Sequence, residues 1–490
     1  MTIVIKGHDF GYEVRNVALL FFCGKGLEQA EQVPEEGDYI LTELLEFSEN
    51  VMLLTRIRVG EEVHEQGETV KRNGGDFERE CERVFGILIF HILSPLTGIT
   101  PEWGILTGIR PVVLLRRLVE SGMTEQEASE YLCCRYLVAP RKARLLRETA
   151  AREGRIVESS RDNSFSLYIA IPFCPSRCLY CSFVSHAIEK TAQLTEPYLE
   201  KLCEELIATG EIAKELGLKL ETVYIGGGTP TTLSAGQLKK LMLTVCKGFD
   251  LTAVREYTVE AGRPDTVTAE KMQVIRQYGA TRVSINPQTF NEEVLRVIGR
   301  RHTAEETVKA YETARATGIA CINMDLIVGL PSDSLESFRM TLDRTISLQP
   351  ENITVHTLSL KRSADLAYQS AAFATQKGIA AKMMEYAETS LAQAEYYPYY
   401  LYRQRNTRDN LENIGFSREG YEGLYNVFIM DETHTILACG AGAVTKLKGG
   451  GNARIERIYN YKYPYEYIDR FEEILLRKRK VKSFYDKGVV

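Results

Sequence analysis

The chain has 490 residues, long for one hydrophobic core, and predicts two or three domains. Apolar residues make up 44% and charged residues 26%, the ordinary balance of a soluble globular protein. A net charge of −6 excludes a general pull toward nucleic acid or anionic membrane, and no apolar run reaches the length of a membrane span.

Thr2–Lys6, Val17–Phe22 and Val51–Val59 read as strands. Residues 77–95 space Phe77, Val84, Phe85, Leu88, Ile89 and Ile92 as an amphipathic helix would. Pro111 is placed to open a helix carrying Leu114, Leu115 and Leu118. Residues 124–153 read as helical, with Thr124 as N-cap and Glu127 completing a capping box. No chemistry is legible here, and residues 1–155 are expected to form an α+β accessory domain for interaction or lid duty. The polar run Glu153–Ser164 reads as a linker. Met1 to Phe10 lacks a signal-peptide layout, and eleven cysteines without regular pairing fit a reducing compartment, so cytoplasm is the expected location.

The chemistry begins at Leu167–Phe183, where Cys174, Cys178 and Cys181 form a C-x3-C-x2-C pattern behind the apolar run Leu167–Ile171. Pro172 cannot continue that strand, so the cysteines are expected on a loop at its carboxyl end, where α/β sheets place their chemistry. Such a loop can turn all three thiolates onto one inorganic centre, and thiolate is the usual ligand of iron–sulfur clusters. Three thiolates on a four-iron cluster leave one iron open to a small chelating molecule. Structural zinc would want a fourth ligand, for which His186 is nearest, and inert buried cysteines are the plain alternative.

From Leu167 to about residue 360, candidate strands alternate with helices: Tyr168–Ile171, Thr222–Ile225, Tyr257–Glu260, Arg282–Ile285, Asn323–Val328 and Ile353–Thr357. Tyr198–Leu216, Ala235–Lys247 and Ala304–Thr317 carry the clearest helical patterns. Six such units imply a parallel sheet and a partial (β/α)6 barrel over 165–362. A mixed helical and β segment follows over 363–490, opening with a helix from Ala371 to Ala394. Gly226–Gly228 at a strand's carboxyl end allows close backbone approach to a ligand and offers its N–H groups. Glu260 ends a strand and needs a partner, either a ligand or an ion pair with Arg263 or Arg282. Gln288 can hydrogen-bond through both ends of its amide, and Arg300 or Arg301 could clamp a carboxylate. Asp325 lies inside an apolar strand and must be paired. His356 and Ser359 close the last strand as core or as site. Gly440 and Gly442 permit close backbone approach, and the tyrosines from Tyr396 to Tyr402 read as packing residues.

These motifs resemble the radical S-adenosylmethionine (SAM) superfamily, and in it the oxygen-independent coproporphyrinogen III dehydrogenases, most of all their HemZ-type members. The matching stretches are Tyr168–Phe183, Gly226–Thr231, Val259–Pro264, Arg282–Thr303, Asp325–Pro331, Tyr402–Gly415 and Leu437–Ala443. The resemblance implies that Cys174, Cys178 and Cys181 hold a [4Fe-4S] cluster. It implies SAM contacts at Tyr168, Tyr180, Gly227, Gly228, Thr229, Glu260, Gln288, Arg300, Asp325 and Ser359. It further implies oxidative decarboxylation of coproporphyrinogen III to protoporphyrinogen IX in haem biosynthesis, under a covering carboxyl-terminal domain. A ferredoxin- or flavodoxin-like donor would supply the electrons. In characterised dehydrogenases a further cysteine stands where this chain has Phe183, and a histidine where it has Ala170. Haem-chaperone relatives also lack that cysteine but carry a His-Asn pair at Tyr425-Asn426. Two alternatives therefore stand beside the dehydrogenase: haem binding or transfer, and radical SAM chemistry on another tetrapyrrole such as haem.

Overall fold

Along Asn50–Val59 every second side chain is buried until the last turn of the strand, the period of a half-covered sheet. The computed structural model describes residues 1–22, 26–72, 76–161, 163–183, 185–359, 378–449 and 455–486. They divide into two units, Met1–Ala150 with Tyr402–Glu412, and Ala151–Leu401 with Asn413–Val490.

The first unit holds β1 (Thr2–Lys6), α1 (Gly11–Phe21), β2 (Glu28–Ala30), β3 (Tyr39–Glu46), β4 (Asn50–Val59) and β5 (Glu62–Lys71). The sheet order is β2-β1-β3-β4-β5, with β1 parallel to β2 and β3 and a β3-β4-β5 antiparallel meander. α1 and α2 (Phe77–Thr97) share its core, where Val17, Phe21, Phe85 and Ile89 pack with Ile3, Leu53 and Ile57. The strand expected at Val17–Phe22 is helix. Val14, Val17, Ala18 and Phe21 are buried at i, i+3, i+4 and i+7, a stripe that a six-residue window cannot distinguish from a buried strand. α3 (Pro111–Glu120) opens at Pro111 as expected. The single helix expected over 124–153 is two, α4 (Glu125–Tyr136) and α5 (Pro140–Glu158). Thr124 and Glu127 do form the capping box, but Leu137 turns left-handed and Pro140 starts a new helix. α5 also runs through half of the expected linker, because Glu153 and Ile156 are buried.

The returning segment 402–412 is held in this unit by buried charge. Lys142 pairs with Glu412, and Trp103 Nε1 donates to Glu412 Oε2 at 2.5 Å. Arg403 lies over the Trp103 ring, 5.2 Å from its centre, and donates to the Leu106 carbonyl.

In the second unit β6 (Ser164–Ile171) leads to β7 (Phe173–Cys174), β8 (His186–Ala187) and α6 (Ile188–Glu215). Then come β9 (Lys219–Gly227), α7 (Ala235–Gly248), β10 (Glu256–Glu260), α8 (Ala269–Gln277), β11 (Arg282–Ser284), α9 (Glu292–Val297) and α10 (Ala304–Ala316). β12 (Cys321–Val328), α11 (Leu335–Ser347), β13 (Asn352–Thr357) and α12 (Ile379–Gln393) follow. The first seven residues of the helix expected from Ala371 lie outside the described residues. β14 (Tyr397–Arg403), β15 (Glu412–Ser417), α13 (Leu424–Asp431), β16 (Thr435–Cys439), β17 (Val444–Leu447) and β18 (Glu456–Tyr459) complete the sheet.

β6, β9, β10, β11, β12 and β13 are parallel neighbours in that order, the six strands of a partial (β/α)6 barrel in an α/β chain. β16 extends it parallel to β6, and β15 runs antiparallel to β13. Side chains alternate between two environments. Leu167, Ile169, Ile171, Val223, Ile225 and Val259 are buried in one core with Leu202, Leu238 and Met242 of the helices. Truncating one such residue to Ala costs about 2–5 kcal/mol. The intervening residues, among them Tyr168, Tyr224, Asp325 and His356, are only half-buried on the opposite, inner face. Capping boxes at Ser234–Gln237 and Thr303–Glu306 set where α7 and α10 begin.

Candidate active site

The cysteine loop is clamped at both ends and in its middle. β7 pairs in parallel with β8, Phe173 opposite His186 and Cys174 opposite Ala187, and the His186 N–H donates to the Pro172 carbonyl at 2.8 Å. Inside the loop the Cys181 N–H bonds the Cys178 carbonyl, and the Leu179 N–H reaches Ile298 O, both at 3.0 Å. Leu179 and Tyr180 pack on Val294, Leu295, Ile298, Ile327, Leu330 and Leu358, so apolar burial anchors the stretch between the second and third cysteines.

The glycine turn lies directly against this loop. Gly228 N donates to Ile171 O and Thr229 N to Phe173 O, each at 2.7 Å, and Thr229 Oγ1 is 3.4 Å from Cys174 Sγ. A Cβ on Gly228 would sit 2.5 Å from the Phe173 oxygen, and Gly227 has φ +105°. Glycine is required for this approach. The N–H groups of residues 228 and 229 are thus taken up by the strand leading into the cysteines. Against the expectation that the turn offers them to a ligand, these two are engaged in joining β9 to the loop.

Two guanidinium groups face the middle cysteine. Arg263, 3% exposed, bonds Ser176 O and Oγ, pairs with Asp265, and has Nη1 4.0 Å from Cys178 Sγ. Arg300, 8% exposed, donates to Asn286 O at 2.6 Å and Gly262 O at 3.2 Å, with its Nε left without a partner. Although burial opposes its charge, the neighbouring Tyr180 and Cys178 hold Arg300 protonated. Arg301 instead points outward and pairs with Glu189 at 3.1 Å. Burial raises the Cys174 thiol, with Thr229 opposing, and pushes Cys181 up to about 11. These cysteines are not activated nucleophiles; loading a metal centre would displace their protons.

Below the loop, the inner face carries an aromatic floor and an ionisable wall. Tyr425 stacks on Tyr224 at 4.5 Å and on Tyr168 at 6.2 Å. Burial keeps the Tyr168 phenol neutral. Tyr224 OH donates to Glu260 Oε1 at 2.5 Å. The ion pairs weighed for Glu260 do not form, since Arg263 pairs with Asp265 and Arg282 with Glu256. Burial lifts the Glu260 carboxyl to about 7, with Tyr224 opposing the rise.

Asp325 accepts from Asn323 Nδ2 at 2.7 Å and lies 3.7 Å from His356 Nε2. Burial acts to raise its carboxyl, but His356 and Asn323 together hold it below the usual range. Gln288 adopts φ +66°, donates its N–H to Asp325 O at 2.9 Å and accepts from Ile327 N at 3.1 Å. Its Oε1 is buried without a partner, a left-handed backbone and an orphaned amide oxygen at one residue. Ser359 follows β13 half-buried. Gly440 makes the close backbone approach expected of it, to β6: its N bonds Glu205 Oε2 at 2.7 Å, and a Cβ there would sit 2.6 Å from Ala170 O. Tyr396, Tyr399 and Tyr400 are buried as packing residues.

The structure thus gathers the cysteine loop, Gly227, Gly228, Thr229, Tyr180 and Arg300 into one layer. Tyr168 and Glu260 share Tyr224, and Gln288 and Asp325 share a backbone ladder. Sequence reasoning missed Tyr224 and Asn323, named Tyr425 only as the position of a chaperone histidine, and treated Arg263 only as an ion-pair partner. Tyr224 was legible, since it stands two residues before Gly226 on the same strand face. The donor set fits a polynuclear iron–sulfur centre better than one metal ion. Cluster cysteines each bond a different iron, and three thiols on one loop with the Arg263 and Arg300 guanidiniums beside Cys178 suit that arrangement, whereas a structural zinc would want a fourth ligand.

This barrel, with its three-cysteine loop, defines a class, and residues 168–345 match the Radical SAM superfamily. Over 482 residues the chain is 38% identical to the oxygen-independent coproporphyrinogen-III oxidase-like protein HemZ of Bacillus subtilis (strain 168), covering 96% of each chain. The heme chaperone HemW of that organism is 39% identical over 194 residues, 39% of this chain and 50% of the other. The fold is also that of Escherichia coli coproporphyrinogen III oxidase (HemN), a radical SAM enzyme, at TM-score 0.51 and 23% identity over 66% of this chain and 73% of that one. The chain belongs to the radical SAM superfamily and, within it, to the HemZ-type family of oxygen-independent coproporphyrinogen-III oxidase-like proteins. Among the described residues no helix is long and apolar enough to cross a membrane.

Proposed function

We propose that the protein converts coproporphyrinogen III to protoporphyrinogen IX without oxygen, using a [4Fe-4S] cluster and SAM. The observation that carries this reading is the meeting, at the carboxyl ends of one parallel sheet, of three cysteines with an ionisable inner wall. In this reading Cys174, Cys178 and Cys181 hold the cluster, and the Arg263 and Arg300 guanidiniums beside Cys178 balance its negative charge. Tyr168, Tyr180, Gly227, Gly228, Thr229, Glu260, Gln288, Arg300, Asp325 and Ser359 surround SAM. Asp325 and Glu260 suit its ribose hydroxyls and ammonium, and the orphaned Gln288 amide oxygen gains a donor. Held there, the cluster and SAM would supply one-electron chemistry able to remove a hydrogen atom from the substrate. Two of the substrate's four propionates would in turn each lose a hydrogen atom, carbon dioxide and one electron to an acceptor, leaving two vinyl groups. The protein orients the propionate and keeps water from the inner face.

The partial match to heme chaperones supports a second reading, haem binding or transfer without turnover. Anaerobic incubation of the reconstituted protein with SAM, reductant and coproporphyrinogen III separates the two. Mass spectrometry should find products lacking one and two carbon dioxide units, with deoxyadenosine alongside, and neither in Cys178→Ala. Intact substrate from protein with a loaded cluster would overturn the decarboxylase reading and leave haem as the next ligand to try.

A further inference from the structure

His356 stands outside the cysteine motif and the expected cofactor contacts, yet it faces the same space. On β13 its neighbours Val355 and Thr357 are 0% and 3% exposed, while its own side chain is 28% exposed on the inner face. Asn413 Oδ1, on β15, accepts the Thr357 backbone N–H at 3.1 Å, which fixes the orientation of that amide. The same oxygen lies 3.3 Å from His356 Nδ1, so Nδ1 must carry a hydrogen and donate it. Nε2 is therefore the position that titrates. It lies 3.7 Å from Asp325 Oδ2, long for a hydrogen bond and close for a charge interaction.

The charged groups that face the ring are Asp325 from β12 and Glu260 from β10, with Tyr224 of β9 bonded to the latter. Burial disfavours the imidazolium, but Asp325 outweighs it and the ring's pKa is raised. Of the two guanidiniums near the site, Arg263 is engaged by Ser176 and Asp265, while Arg300 holds two carbonyls through Nη1 and keeps its unpartnered Nε beside Tyr180 and Cys178.

We propose that protonated His356, with Nδ1 locked on Asn413 and Nε2–H presented beside Asp325, recognises a carboxylate of the substrate. The proposal rests on the tetrapyrrole reading and adds to it the group that selects a carboxylate-bearing ring. A face that carries Glu260 and Asp325 would otherwise repel such a substrate.

Coproporphyrin III and its tetramethyl ester share a macrocycle and differ in charge. Their binding to reconstituted full-length protein, followed anaerobically by porphyrin fluorescence, tests the idea. The free acid should bind about tenfold more tightly than the ester at mildly acid pH, the size of one charge-assisted hydrogen bond. That preference should fade as pH rises through the His356 titration, because the cation is present below its raised pKa and lost above it. His356→Gln should lose both the preference and its pH step, with the cluster's visible absorbance intact. His356→Lys should keep the preference without the step. A preference and step unchanged in His356→Gln overturn the assignment, as does equal binding of both porphyrins by the wild type. Wild-type protein that binds neither overturns the tetrapyrrole reading itself and the proposal with it.

Discussion

Tyr224 donates its phenol proton to Glu260 Oε1 across 2.5 Å, and this bond opposes the rise that burial imposes on the carboxyl. Glu260 sits at about 7, so at neutral pH it is divided between its charged and neutral forms. Tyr224→Phe removes the donor and should move the carboxyl higher by about one unit, the equivalent of a charge-assisted hydrogen bond. If the carboxylate holds SAM, the pH midpoint of SAM binding should rise by the same amount. Equilibrium binding across pH, measured on both proteins with loaded clusters, reads the shift, and identical midpoints would remove Glu260 from the SAM site.

Gly228→Ala tests whether the glycine turn sets the cysteine loop. The added carbon would meet the Phe173 oxygen at 2.5 Å, next to Cys174. The loop must shift, and iron per chain after anaerobic reconstitution should fall to a small fraction of wild type. Gly154→Ala, where a Cβ meets nothing within 4 Å, is the control and should leave iron unchanged. It should also stabilise α5 by up to about 1 kcal/mol.

His302 predicts acid sensitivity. It is 3% exposed, and burial, with Arg300 and Arg263 nearby, pulls its pKa down to about 3. The folded value lies below the unfolded one of 6.5, so between the two pH values the unfolded chain binds a proton that the native protein refuses. Its stability contribution is complete above the unfolded value and declines as pH falls toward the folded one. The slope is about 1.4 kcal/mol per pH unit. Denaturant unfolding at several pH values should show this loss in the wild type, and a flatter dependence in His302→Gln. Parallel curves would mean the ring titrates normally.

Glu412→Gln should destabilise the first unit by up to about 3–5 kcal/mol, because buried Lys142 would keep only its longer contact to Glu102 Oε2 at 3.4 Å, and Trp103 Nε1 would lose a charged acceptor. The double variant Lys142→Met with Glu412→Gln should recover much of the loss. Thermal unfolding of the full chain reads both, and an unchanged melting temperature in the single variant would mean that water reaches the pair.

The barrel strands were legible because each is a short apolar run ending in glycine, proline or a polar residue, as at Val223–Gly226 and Asn323–Pro331. The capping box at Thr124 was legible for the same local reason, whereas those at Ser234 and Thr303 carry the same pattern and were not read. Val17–Phe22 was not, because a buried run reads alike as helix or strand until the partner sheet appears. The α4–α5 break turned on left-handed Leu137, which nothing in its own side chain signals, and on Pro140, a helix-breaking signal that the sequence reading passed over.

The cysteine spacing and the strand before it pointed by themselves to an iron–sulfur loop on a parallel α/β sheet, since those properties depend on residues adjacent in the chain. Tertiary structure alone decided that Tyr224, not an arginine, partners Glu260, and that Arg263 faces Cys178. It alone seated His356 between Asp325 and Asn413 and carried residues 402–412 into the first unit. Each of these depends on strands brought together from distant parts of the chain, and burial then fixes which charge meets which partner.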